Sequence, residues 1–324
     1  MAKLFDLIRD GEALKQPLLS QYIEKIWNSM PSKNEIIESA VKYFDKIYPG
    51  SGSLYVDSLN MLHQFNPEVL FRGQPNVEFD IIPSLGRNDN FTHEREFVEL
   101  PQVERPEIFN SGHKPLETLT LLQHYGIPTR LLDVTSNFLT ALFFACQKTD
   151  SDSDADGEII LFFDMHSYTS IYPLMDAHAD TYLLTDGHDL SLDDFYKRAL
   201  KRFYFSEDKY KSLYSKLQNQ ICGFLYPIAV NPPRLSLRHR AQQGKFFLFP
   251  NTIKPDAKSP FVEASISKIE KNSAFCRCVQ VRCDHKQKLL SELSILGIDK
   301  AKLFPDNLDF FSSEMVKNIT LPRK

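Results

Sequence analysis

No stretch of the 324 residues approaches the roughly 18 consecutive apolar positions that a membrane-crossing helix needs. The opening residues, MAKLFDLIRDGEALK, lack an apolar core followed by a small-residue cleavage site. A cytoplasmic protein with no membrane partner is expected. Cysteine is scarce and odd in number, with five residues at 146, 222, 276, 278 and 283. That scatter suits reduced thiols and offers no disulfide framework. Charge of one sign is not in excess either: the net charge is -4 and the pI is near 6.2. A protein that grips nucleic acid by its overall field is excluded, while a local basic groove stays open. There is no internal repeat. The one low-complexity tract is acidic, DSDSDADG at 150–157. Asp152, Asp154, Asp156 and Gly157 fit the first half of a calcium loop, but Phe163 stands where a bidentate Glu is required, so a solvated loop is expected.

What is present suits a globular chain with a sizeable core: 42% of residues are hydrophobic and 12% aromatic. Residues 1–52 read as a helical segment. Leu4, Leu7 and Ile8 begin an apolar stripe, Leu18, Leu19, Tyr22, Ile23 and Ile26 continue one, and Ser32 with Glu35 forms a capping box. Pro49-Gly50-Ser51-Gly52 ends it. Residues 53–324 then interleave strands and helices as one α+β domain of mixed or antiparallel sheets flanked by helices. VLFRG at 69–73, FDIIPSLGR at 79–87, GEIILFF at 157–163, FLYPIAV, KFFLFP and FCRCVQVRC read as strands. A short helix is expected around Glu94–Leu100. A long one is expected from Ser191 and Asp194, and a last one carries Leu289, Leu290, Leu293 and Leu296 and stops at Gly297. Cys276 and Cys278 fall on one strand face and Cys283 on the other, a spacing foreign to familiar zinc sites, so no metal is expected.

The densest chemistry lies in QHYGIPTRLLDVTSNFLTALFFAC, residues 123–146. His124, Arg130, Asp133, Thr135, Ser136 and Asn137 sit between an apolar helix ending at Gly126 and Pro128 and a second helix with no polar face. Such a helix starts inside the protein, and its first N–H groups need acceptors. Thr135, Ser136 and Asn137 serve either as turn and cap residues or as the rim of an anion or nucleotide site at that helix start. Two further polar clusters end at strands. Arg72, between Phe71 and Gly73, offers a fork of N–H donors to a phosphate or carboxylate, and Gly73 would allow a ligand close to the backbone. Arg240, Gln242 and Gln243 precede Gly244 and its strand.

Together FRGQ at 71–74, PSLGR at 83–87, LLQHYGIPTRLLDVTSNFLTALFFA at 121–145, RAQQGKF at 240–246 and LGIDKAKLFPDNLD at 296–309 resemble the FRG domain, named for Phe-Arg-Gly. A weaker likeness is to the ADP-ribosyltransferase fold, in which a strand bearing Arg-Gly precedes a Ser-Thr-Ser strand and later a Glu-x-Glu loop. Arg72-Gly73, Val134-Thr135-Ser136 and QQGKFFLFP resemble these elements in that order. The likeness implies NAD as substrate, with Arg72 on its pyrophosphate or ribose and Ser136 on the nicotinamide ribose. The sequence departs from the pattern at the catalytic Glu, where it has Gly244 or Phe246 with Gln242 and Gln243 nearby.

Two functional classes follow. The first is an ADP-ribosyltransferase-like enzyme or NAD glycohydrolase acting on NAD and a macromolecular target, with a bacterial defence or toxin role as the family-level expectation. Asp133, Gln243 and His124 are its catalytic candidates, and Arg72, Gly73, Gln74, Arg130, Thr135, Ser136, Asn137, Arg240 and Gln242 its cofactor-binding candidates. The second is a non-catalytic module that binds a nucleotide or a nucleic-acid end through the same residues. The oligomeric state is left open.

Overall fold

The computed structural model describes residues 17–47, 69–110, 112–148, 154–163, 168–169, 227–231, 237–254, 261–273 and 275–305, with isolated positions between 176 and 198. The expected stripe at Leu4–Ile8, the body of the helix expected after Asp194, and residues 53–67 lie outside them. None of the described helices is long and apolar enough to cross a membrane.

A seven-stranded sheet organises the molecule, in the order β10-β3-β1-β2-β7-β6-β4. Its strands are β1 (Leu70–Gln74), β2 (Leu131–Thr135), β3 (Gly157–Phe162), β4 (Tyr168–Thr169), β6 (Ile228–Asn231), β7 (Gly244–Leu248) and β10 (Cys276–Val281). All neighbours are antiparallel except β4 and β6. A small second sheet joins β5 (Leu190–Ser191), β9 (Phe261–Val262) and β8 (Ile253–Lys254). The architecture is the expected α+β class, antiparallel sheets flanked by helices.

Alternation along the strands sorts side chains into two cores. Leu70, Ile160, Phe162 and Cys276 face one cluster, together with helix α4 (Pro115–His124). Phe71, Ile159, Leu161, Val279 and Val281 face the other, with helices α5 (Phe138–Ala145) and α7 (Cys283–Ile295). β3 is buried along its whole length because both of its faces are covered, as its unbroken apolar run implies. Helix α1 (Leu18–Asn28) adds Leu19, Tyr22 and Ile26 to the second core. The Glu292 carboxylate accepts hydrogen bonds from the first free amides of α1, at Leu18 and Leu19. Ser32 and Glu35 close both halves of the capping box at the start of α2 (Lys33–Ile47).

FDIIPSLGR does not form the expected strand. Ile81 makes a single bridge to Ile269, and the chain then turns through a 3-10 segment, Ser84–Gly86. Pro83 has no N–H to give a ladder, and the turn is tied instead to Thr129 by the Leu85 amide. The helix expected near Glu94 runs on to Glu104 as α3. The stop after α4 is as expected, with Gly126 at φ 77°.

Two glycines set the depth at which α5 sits on the sheet. A Cβ at Gly73 would lie 1.8 Å from the Ala141 carbonyl oxygen, and one at Gly157 would lie 2.1 Å from that of Ala145. Both obstacles are backbone and cannot rotate away. Gly73→Ala is therefore expected to lower the unfolding free energy by about 3 kcal/mol or more, read as a lower urea midpoint. An unchanged midpoint would show that α5 is free to withdraw.

Candidate functional site

β1 and β2 meet through a single pair, Phe71 opposite Thr135, whereas β1–β3 and β2–β7 are each paired over five residues. Beyond that one pair the sheet is bridged by a side chain. Arg72 donates from Nη1 to the Asp133 carbonyl oxygen at 2.7 Å and from Nε to Gln74 Oε1 at 3.3 Å. Buried Gln74 passes the connection on, donating to the Glu158 carboxylate, which pairs with Lys271 at 2.5 Å. Burial draws the Arg72 guanidinium below its usual proton affinity, with the Asp133 charge acting against this and that of Arg87 adding to it. Arg72 and Gln74 thus hold the sheet together at its narrowest joint. Gly73 admits the backbone of α5, not that of a ligand.

Arg130 is fully buried and makes four hydrogen bonds. It forms two parallel hydrogen bonds with Glu94, at 2.7 and 2.6 Å, and donates to the Phe249 carbonyl and to Asn251. This two-point geometry is the strong form of such a pair, and Arg130 does not line the cleft beside Asp133. The expected phosphate role does not fit this arrangement. Thr135, Ser136 and Asn137 are where the turn-and-cap reading puts them. Thr135 Oγ1 donates to the Gln242 carbonyl and accepts from the Asn137 amide, and Asn137 Oδ1 caps α5 through the Leu139 amide. The Ser136 amide reaches the Gln243 carbonyl at 3.4 Å. Gln243 itself stands in the left-handed region at φ 49°.

A cleft of about 100 Å3 opens beside the Asp133 side chain. Asp133, His124, Gln123 and Thr120 line it from β2 and α4, and Arg238, His239, Gln242 and Phe246 from α6 (Leu237–Ala241), the turn after it and β7. Asp133 is exposed there, and its carboxylate is steered by Gln123, which donates to Oδ2 at 2.9 Å. Gln123 is oriented in turn by the Thr129 hydroxyl, which donates to its Oε1 at 2.7 Å. The Gln242 amide nitrogen donates to the Leu303 carbonyl, and its Oε1 remains an acceptor. Arg238 lies over the Phe304 ring at 4.6 Å. His239 stacks on Phe246 with centroids 5.0 Å apart, in room that Gly244 leaves, since a Cβ there would come within 2.3 Å of the imidazole.

Of the residues expected from sequence, the cleft unites Asp133, His124 and Gln242. Arg72, Gly73, Gln74, Arg130, Thr135, Ser136, Asn137, Gln243 and the exposed Arg240 do not line it. Gln123, Arg238, His239 and Phe246 are cleft residues that sequence reasoning passed over. Gln123 was visible as one helical position before His124, and Arg238 as the start of the basic run ahead of Gly244. Among the described residues no three His, Cys, Asp or Glu side chains converge as a metal site.

Residues 67–154 match the FRG domain family. No curated protein matches the chain, and no solved structure does.

Loss of the buried pair should be felt in stability, because a lone buried charge is left behind. Arg130→Leu is expected to cost about 3–5 kcal/mol in urea unfolding. A variant of native stability would contradict the structural role of Arg130.

Proposed function

The chain carries an FRG domain at residues 67–154, and we propose that this domain, closed by α6 and β7, binds the ribose-bearing end of a nucleotide. The observation that carries this reading is the Asp133 carboxylate, pinned by Gln123 in a cleft that Gln242 also lines. The two adjacent oxygens of one carboxylate, of which Gln123 takes a single lone pair on Oδ2, suit the vicinal hydroxyls of a ribose, which donate two hydrogen bonds side by side. Size narrows the ligand further. Pockets that bury a drug-sized molecule measure about 300–1,000 Å3, so a cleft of about 100 Å3 takes one ring and leaves the rest of the ligand outside. Arg238 is the cation that lines the cleft.

NAD is the nucleotide for which the same carboxylate would do chemistry. When the bond from C1′ to the nicotinamide nitrogen breaks, the electron pair leaves with nicotinamide and positive charge develops on the ribose. A fixed anion beside it lowers that barrier, and water or a nucleophile of a macromolecular target then completes hydrolysis or ADP-ribosyl transfer. His124 is the neighbouring group able to move a proton. Binding without turnover is the second reading. It is favoured by Gln242, which lines the cleft with a neutral amide and adds no negative charge.

Calorimetry with ADP-ribose and assays of nicotinamide release from NAD separate these readings. Asp133→Asn keeps the shape but weakens a charge-assisted hydrogen bond, so ADP-ribose affinity should fall about 10- to 100-fold, the equivalent of about 1.5–3 kcal/mol. Equal affinity of the variant and the unmodified chain would sink the ribose assignment. Binding with no nicotinamide release would leave the non-catalytic module.

A further inference from the structure

One exposed aromatic ring borders the cleft but does not line it. Tyr125 is the cap residue of α4, one position after the cleft residue His124, and 55% of it is open to solvent. Its amide donates to the Leu121 and Leu122 carbonyls, and Gly126, at φ 77°, then turns the chain away. The backbone at Tyr125 is therefore fixed. Its ring is braced as well, standing edge to face with the His124 ring at 5.2 Å and with buried Phe109 at 5.5 Å between centroids. A ring ordered in this way gives up little freedom when a flat ligand lands on it. The cleft fixes what that ligand is. About 100 Å3 admits one ring, so a ribose that fills it leaves its base outside, beside the rim that His124 shares with Tyr125. Other aromatics of this region are already covered: His239 stacks on Phe246, and Arg238 lies over Phe304. Tyr125 is the one of the three left exposed.

We propose that Tyr125, with His124 beside it, is the stacking subsite for the heterocyclic base on the ribose in the cleft, so that the chain takes nucleotides in preference to sugar phosphates. This rests on the ribose reading of Asp133 and deepens it. Every base presents a π-face, so stacking on Tyr125 demands a base without choosing among bases.

Titration calorimetry of the full chain with AMP and with ribose 5-phosphate, which lacks the base, tests the subsite. AMP should bind the unmodified chain about tenfold or more tightly than the sugar phosphate does. Tyr125→Ala should weaken AMP about tenfold and so remove most of that difference, with ribose 5-phosphate binding retained as the sign of an intact cleft. Tyr125→Phe keeps the ring and should keep the preference. Trp27→Ala removes an aromatic that is 72% exposed on α1 and should change neither affinity. Equal binding of the two ligands by the unmodified chain, or an unchanged AMP affinity in Tyr125→Ala, would overturn the subsite and leave the ribose reading standing. An equal loss of both ligands in Tyr125→Ala would also overturn it, by making Tyr125 a prop of the fold. Failure of the ribose reading is told apart by Asp133→Asn: if that variant binds both ligands as the unmodified chain does, the cleft holds no ribose and the subsite falls with it.

Discussion

Helix α5 lies with its backbone against the backbone of β1 and β3, and this contact constrains the rest of the molecule. It exists because Gly73 and Gly157 carry no Cβ where the Ala141 and Ala145 carbonyls stand. With α5 at that depth, Phe71 meets Phe138 edge to face at 6.2 Å, and the second core closes around Ala141, Leu142 and Ala145. The three residues Phe71, Arg72 and Gly73 therefore do different things. Phe71 packs one face, Gly73 admits the helix on that same face, and Arg72 is turned to the opposite one.

The position of Arg72 fixes the backbone at Asp133. Strands β1 and β2 are joined at one residue pair, and past it Arg72 reaches over to the Asp133 carbonyl in place of a continuing ladder. β2 consequently belongs with β7, against which Asp133 stands opposite Phe246. Held from behind through its backbone by Arg72 and from the side through its carboxylate by Gln123, Asp133 cannot drift. An acceptor fixed in this way is preorganised, which is what separates a binding group from a solvated surface acid.

The sequence made the class and most elements readable because the signals were local. The unbroken apolar run at 157–163, the alternation at 276–281, the capping box at Ser32 and the stop at Gly126 each decide themselves within a few residues. The FRG likeness was carried by the same kind of contiguous motif. Roles were harder, because they depend on partners far away in the chain. Arg130 looks like a phosphate ligand until Glu94 and the Phe249 carbonyl are placed around it. Gly73 looks like an opening for a ligand until α5 fills it. Gln242 and Gln243 are neighbours in sequence, yet the positive φ of Gln243 separates them, and Gln242 alone lines the cleft. PSLGR misled for a local reason, since Pro83 interrupts an otherwise strand-like run. The ADP-ribosyltransferase likeness rested on pieces of two to four residues. Of those pieces, Arg72, Thr135 and Gln243 have internal partners of their own.

The central claim is that a carboxylate pinned on β2 receives a ribose. A crystal structure of the full chain with ADP-ribose tests it most directly. The expected result is a ribose hydroxyl within about 3 Å of an Asp133 carboxylate oxygen, in the cleft that Gln242 also lines. A ribose seated elsewhere, with the Asp133 carboxylate touching only Gln123, would contradict the account.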